Sequence, residues 1–127
     1  MIFVDTNVWM YAVGRSHPLR SEARDFLASS VERRVELGIS AEILQEFLHA
    51  YLPVDRSATL DAALTLVKAT VREIWSIDPD DVWHARGLAA ELPHLGARDL
   101  LHVACCRRRG VTEVKSFDRA LAAVFAA

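Results

Sequence analysis

The clearest structural signal lies near the start of the chain, in the segment IFVDTN at residues 2–7. Its first three residues form a continuous apolar run, which is typical of a strand buried on both faces of a sheet. The run ends at Asp5, where a carboxylate would lose its hydration and would need a partner. The segment therefore predicts a buried strand that carries a specific acidic group at its carboxyl end.

Strand and helix patterns alternate along the rest of the chain. The further strand candidates are residues 35–39, 74–77 and 111–114. Ser40 is a good helix cap after the second strand, and Asp78, followed by a proline, marks another helix start. Helices with one apolar face fill the intervening segments. This alternation predicts an α/β fold, a Rossmann-like three-layer α/β/α sandwich with a central parallel sheet of four to five strands.

Length and composition limit the classes of protein that this chain can be. Its 127 residues leave room for one domain, spanning residues 1–127, and the 52% hydrophobic content excludes a disordered chain. The absence of a long apolar run or a basic leader predicts a cytoplasmic protein without a membrane segment. The net charge of −2 argues against binding nucleic acid by bulk charge alone. Cys105 and Cys106 are adjacent and are expected to be reduced packing residues.

Four acids from separate segments are expected to meet at one edge of the sheet. In an open α/β sheet, ligands bind beyond the carboxyl ends of the strands, where the strand order reverses. Asp5 ends the first strand, Asp118 closely follows the fourth, and Asp99 opens the helix that leads into the fourth. Glu46 lies on the helix after the second strand, on the side expected to be polar. These positions predict a cluster of carboxylates.

A carboxylate cluster of this kind favours a metal site. Crowded carboxylates raise one another's pKa and destabilise the fold unless a cation lies among them. Oxygen ligands without a local histidine or thiolate set favour a hard cation, Mg²⁺ or Mn²⁺, over Zn²⁺. Such a site suits the attack of water on a phosphodiester bond. Thr6, Asn7 and Ser116 could orient that water or a phosphate, or serve only the turns in which they lie.

Each acid also has a purely structural interpretation. Asp99 and Asp118 stand where helix caps are common, and Glu46 taken alone is typical of a solvated helix face. His49 and His102 follow Glu46 and Asp99 by three residues, and both are expected to be solvated or to support the acids. The order and spacing of the whole set favour a functional site.

The ordered set of acids resembles that of a known family. The segment DTNVWMYA at residues 5–12 is similar to the opening of a PIN domain. Glu46, ARDLLH at residues 97–102 and SFD at residues 116–118 match the later acidic positions of that family. The resemblance covers the whole chain, whose length is similar to that of the VapC-type toxins of bacterial toxin–antitoxin pairs. Ser116 stands where the family frequently has threonine, which keeps the hydroxyl group.

The resemblance implies a Mg²⁺- or Mn²⁺-dependent endoribonuclease that acts on RNA, forms a homodimer and is inhibited by a small antitoxin. By the match, the catalytic and metal-binding acids are Asp5, Glu46, Asp99 and Asp118, with Thr6, Asn7 and Ser116 as accessory residues.

Two other functions are weighed against this one. The first is a catalytically inactive PIN-like module that binds RNA or a partner without cutting, and the retention of all four acids argues against it. The second is a phosphatase with an aspartyl nucleophile after the first strand. That chemistry usually needs a second acid two residues later, where this chain has Asn7.

Surface features indicate further contacts. The basic run at residues 107–109 fits the C-terminal end of a helix better than a contact with RNA. Apolar side chains exceed what the core is expected to absorb, which predicts a groove or dimer face for self-association and for an antitoxin segment. The residues concerned are Trp9, Tyr11, Phe47, Leu48, Tyr51 and Leu52.

Overall fold

The computed structural model describes residues 1–126 and contains four strands and seven helices in that range. The strands are β1 (Ile2–Val4), β2 (Leu37–Ser40), β3 (Glu73–Trp75) and β4 (Glu113–Lys115). The helices are α1 (Thr6–Val13), α2 (Arg20–Glu32), α3 (Ala41–Tyr51), α4 (Ser57–Thr70), α5 (Pro79–Glu91), α6 (Ala97–Arg108) and α7 (Arg119–Ala126). No helix in this part of the chain has the length and apolar character needed to cross a bilayer.

The four strands form one parallel sheet in the order β3-β2-β1-β4, with Phe3 opposite both Gly38 and Val114. The chain moves in one direction from β1 to β3 and then crosses back past β1 to β4. Right-handed crossovers therefore place α1–α4 on one face of the sheet and α5–α6 on the other. The packing of α1 against α2 and α4, and of α5 against α6, agrees with this arrangement. The predicted α/β class and parallel sheet are confirmed.

The second strand differs from its prediction. The predicted strand covered residues 35–39, whereas β2 begins at Leu37 and ends at Ser40, and all four of its residues are buried. It lies between β1 and β3 with both faces covered, and a Cβ on Gly38 would meet Met1 Sδ at 2.6 Å. Ser40 stands at the predicted cap position of α3, but its hydroxyl is buried and bonds to no residue in the described range.

Three aromatic residues that were predicted to lie on a groove or dimer face pack into the core instead. Trp9 is fully buried, and its Nε1 donates a hydrogen bond to Val4 O at 3.3 Å. Phe47 and Tyr51 also belong to the core around the sheet. The cysteines are unbridged and buried, and burial raises the pKa of the Cys105 thiol to about 12. They are packing residues, as predicted.

A buried ion cluster joins α5 to the end of α6. Asp78 and Asp81 form a reciprocal capping box, which confirms the predicted helix start. The fully buried Asp81 carboxylate accepts hydrogen bonds from Arg108 and Arg109 at 2.8 Å each. Burial alone would raise the pKa of Asp81, but these bonds hold it well below its usual range. Two arginines of the 107–109 run are therefore structural, and Arg107 pairs with Glu91 at the surface.

We expect Asp81→Asn to lower the free energy of unfolding by about 2–3 kcal/mol, because two partly buried guanidinium groups lose their anion. Asp80→Asn is the matched control, since the exposed Asp80 only approaches Arg108 at 3.8 Å. It should change stability by less than about 0.5 kcal/mol. Urea unfolding of both variants at neutral pH measures the difference. Equal effects of the two substitutions would show that the cluster contributes nothing specific.

Candidate active site

Asp5 lies at the carboxyl end of β1, where the sheet order reverses between β1 and β4. Its side chain is 6% exposed and is surrounded by donors. Oδ1 accepts from the Thr6 backbone N–H at 2.8 Å, and Oδ2 accepts from Ser116 Oγ at 2.6 Å and Asn7 Nδ2 at 3.3 Å. Burial raises the pKa of Asp5 above its usual range, although the bond from Ser116 opposes that shift. The acid is thus held in one orientation but remains poorly solvated.

The two polar residues beside Asp5 also fasten the end of β4 to the start of α1. Asn7 Oδ1 accepts from the Phe117 backbone N–H at 3.2 Å, and Ser116 Oγ accepts from the Asp118 N–H at 3.0 Å. Both therefore serve the turn geometry and the acid at once. The turn role, one of the two predicted alternatives, is therefore observed, and orientation of a water or a phosphate by these residues stays a prediction.

Glu46 is held by donors from two other elements. Its side chain is 8% exposed, Oε2 accepts from the Thr6 hydroxyl, and Oε1 lies 3.1 Å from His102 Nε2. Burial alone would raise the pKa of Glu46. The hydrogen bond and the charge of His102, together with the bond from Thr6, outweigh burial and hold the pKa below its usual range. The alternative interpretation of Glu46 as part of a solvated helix face is wrong, because the side chain is buried against Thr6 of α1 and His102 of α6.

His102 is buried beside Glu46, a position that the sequence pattern did not indicate. It is 1% exposed, and its ring centre lies 5.2 Å from that of Phe3. Burial lowers its pKa, but the contact with Glu46 outweighs burial and raises it overall. The expectation of a site without a local histidine is therefore wrong. Its three-residue spacing from Asp99 was the available signal, and only the packing of α6 shows that the ring points inward. His49 is exposed, which agrees with the solvated position that was one of its two expectations.

The other two acids border this buried group. Asp99 is half-buried in the first turn of α6, where Gly96 occupies the cap position, so Asp99 is not the helix cap. Burial raises its pKa, and the negative charges of Asp5 and Asp118 raise it further. Asp118 is half-buried and does cap a helix, since Oδ1 accepts from the Ala120 N–H at 2.9 Å. Asp5, Glu46 and Asp118 therefore all lie close enough to Asp99 for their charges to raise its pKa.

A cleft of about 570 Å³ opens onto Asp5, Glu46 and Asp99, whereas Asp118 is not among its lining residues. Asp5, Glu46 and His102 each offer a ligand atom within 4.8 Å of the other two, and Asp99 lines the same cleft. Carboxylate oxygens are the ligands that Mg²⁺ and Mn²⁺ favour, and a cation would relieve the repulsion that raises the pKa of Asp99. The donor set fits a divalent cation.

The same fold occurs in a known family of proteins. Residues 2–125 match the PIN domain. This chain belongs to the PIN-domain family. It is 62% identical over 125 residues to Ribonuclease VapC23 of Mycobacterium tuberculosis, covering 98% of each chain, and it is a VapC-type member of the family.

Solved PIN-domain structures share its architecture. The crystal structure of Mycobacterium tuberculosis VapC20, a sarcin-ricin loop cleaving toxin, superposes with a TM-score of 0.75 and 18% identity, covering 98% of this chain and 95% of VapC20. VapBC2 from Rickettsia felis, bound to a DNA fragment from its promoter, gives a TM-score of 0.67 at 19% identity, with coverage of 94% and 90%. These likenesses confirm the PIN fold of the chain.

We expect Asp99→Asn to stabilise the metal-free PIN domain at pH 7 by up to about 1 kcal/mol. A carboxyl group whose folded pKa is raised binds its proton more tightly in the folded state. The parent therefore gains stability as pH falls through that pKa, and the advantage of the variant should fade toward about pH 4. Mg²⁺ should stabilise the parent much more than the variant.

Thermal melts in EDTA and in Mg²⁺ at several pH values measure these effects, with the exposed α4 variant Asp61→Asn as control. An Asp99→Asn protein that unfolds more readily than the parent in EDTA would identify Asp99 as a stabiliser of the first turn of α6 instead.

Proposed function

We propose that this PIN domain is a metal-dependent endoribonuclease that cleaves RNA phosphodiester bonds and acts as the toxin of a toxin–antitoxin pair. The observation that carries the proposal is the buried pair Asp5 and Glu46, with Asp99 beside it, at the point where the strand order reverses. Its relatives in the VapC group are named as ribonucleases, which supports RNA as the substrate.

The proposed ligands of Mg²⁺ or Mn²⁺ are Asp5, Glu46, Asp99 and Asp118. A bound divalent cation would stabilise the negative charge that develops on a phosphate during hydrolysis. Asp5 and Glu46 are the best-positioned ligands because burial has removed most of their water and neighbouring donors fix their orientation. Asp118 does not line the cleft and its Oδ1 caps α7, so we expect its contribution to be the most replaceable.

The accessory residues would keep the carboxylates in a geometry that a metal can use. Ser116 and Asn7 hold Oδ2 of Asp5, and Thr6 and His102 hold the two oxygens of Glu46. Orientation of metal ligands by surrounding hydrogen bonds is a general requirement of such sites. The chain thus supplies an ordered ligand set before any substrate binds.

Replacement of a ligand should abolish cleavage while the fold persists. We expect Asp5→Asn and Glu46→Gln to lower the rate of RNA cleavage by at least about 100-fold, and Asp118→Asn by less. Glu42→Gln, one turn earlier on α3, is the matched control and should cleave normally. Cleavage of labelled bulk RNA in Mg²⁺, with EDTA as a blank and circular dichroism as a check on folding, measures the loss.

Full activity of Asp5→Asn in Mg²⁺ would contradict the assignment of the site. A wild-type protein that binds RNA and cleaves none of it would support the inactive binding module instead.

The antitoxin is proposed to occupy an apolar groove between α1, α2 and α4. The groove measures about 890 Å³, and small side chains allow a helix to approach its wall closely. Those small side chains belong to Ala12, Ala28, Ala62 and Ala69. A groove was predicted, but on different residues, because Trp9, Phe47 and Tyr51 pack into the core.

Filling this groove should block antitoxin binding and spare catalysis. Ala28→Trp is expected to prevent co-purification with a small antitoxin encoded next to this gene, because the indole takes the space of the incoming helix. Ala58→Trp, exposed on the same α4 but outside the groove, is the control. Affinity pull-down of the co-expressed pair, with RNA cleavage assayed in parallel, tests the site. Normal complex formation by Ala28→Trp would place the antitoxin elsewhere.

A homodimer is also part of the proposal. Leu48 on α3 and Leu52 just after that helix remain 41% and 54% exposed, near the exposed Val54. Three large apolar side chains on one segment are suited to self-association. This is the part of the predicted dimer face that the core leaves at the surface.

A further inference from the structure

Two basic side chains line the otherwise acidic cleft. Arg98 is the second residue of α6 and immediately precedes Asp99, and His49 lies three residues after Glu46 on α3. Both are exposed, and both belong to the wall of the cleft. They therefore approach the carboxylates from two different elements.

Arg98 differs from the three arginines at residues 107–109 because no carboxylate in the described range pairs with it. Arg107, Arg108 and Arg109 all pair with carboxylates, whereas Arg98 makes no hydrogen bond or ion pair with any of residues 1–126. Its charge nevertheless helps to lower the pKa of Glu46, so the guanidinium lies within electrostatic reach of the site.

Two of the nearby carboxylates do not need Arg98 as an internal partner. Asp5 accepts from Ser116, Asn7 and the Thr6 backbone N–H, and Glu46 is held by Thr6 and His102. The five N–H groups of Arg98 are thus available to an anion that enters the cleft. A guanidinium matches a phosphate in a planar, two-pronged geometry, and an imidazole N–H adds a third donor.

We propose that Arg98, with His49 across the cleft, binds a backbone phosphate of the RNA strand next to the bond that is cleaved. This inference rests on the proposed ribonuclease function. It accounts for how a chain with a net charge of −2 can admit a polyanion to a site lined by acids. The strand then crosses the cleft between α3 and α6, and the contact is to the backbone, so it carries no base preference.

Binding of a fluorescein-labelled random-sequence RNA oligonucleotide tests the contact directly. With Ca²⁺ in place of Mg²⁺ to limit cleavage, fluorescence anisotropy gives the Kd at several salt concentrations. We expect Arg98→Gln to weaken binding about tenfold and to make the log–log salt dependence shallower by about 0.7. Arg98→Lys should restore the salt dependence, because the charge remains, but only part of the affinity.

Arg86→Gln is the matched control, because Arg86 is also an exposed helical arginine without an ion pair in the described range and lies outside the cleft. In Mg²⁺, Arg98→Gln should raise KM about tenfold and leave kcat within about twofold, since a neighbouring phosphate that does not react is bound equally in the ground and transition states.

Three outcomes decide the matter. A shallower salt dependence in Arg98→Gln but not in Arg86→Gln, with the change confined to KM, supports the contact. Equal behaviour of the two variants, or of Arg98→Gln and the wild type, overturns it while leaving the ribonuclease function intact. A wild-type protein that cleaves no RNA in Mg²⁺ or Mn²⁺ overturns the proposed function, and this inference with it.

Discussion

Burial of the Asp5 carboxylate at the end of β1 is the constraint around which the rest of the site is arranged. Removing a carboxylate from water is costly unless hydrogen bonds replace the lost hydration. Ser116, Asn7 and the Thr6 backbone supply those bonds, and they come from both ends of the chain. The pairing of β4 with β1 therefore also orients the acid, because it brings Ser116 to Asp5.

The remaining charged groups divide into two sets with opposite electrostatic character. Around Asp81, two arginines neutralise a buried carboxylate, so its pKa falls and the cluster stabilises the fold. Around Asp99, burial and the negative charges of neighbouring acids raise the pKa, so the fold carries a repulsion that no internal partner removes. The sign of the shift separates Asp99 from Asp81, whereas Glu46 has a lowered pKa because His102 and Thr6 donate to it. A raised carboxyl pKa beside a cleft indicates a group kept for a ligand.

The fold and the position of the site could be predicted because they depend on local patterns. The apolar run before Asp5, the proline after Asp78 and the order of the acids each predict a specific feature that the structure contains. Whether a helix face is solvated depends instead on what packs against it, which no local pattern specifies. Glu46 occupies a position expected to be polar, but it is buried against Thr6 and His102. The burial of His102 depends on the same packing, and the Ser40 hydroxyl is buried without bonding to the start of α3.

The order in which the site residues occur along the chain has a consequence for how the protein is made. Asp5 precedes its partner Ser116 by 111 positions, and β4 pairs only with β1, at one edge of the sheet. During translation, the first acid is synthesised long before the hydroxyl that orients it. The hydroxyl of Ser116 reaches Asp5 only when β4 pairs with β1, so the first acid of the chain takes its final orientation from the last strand.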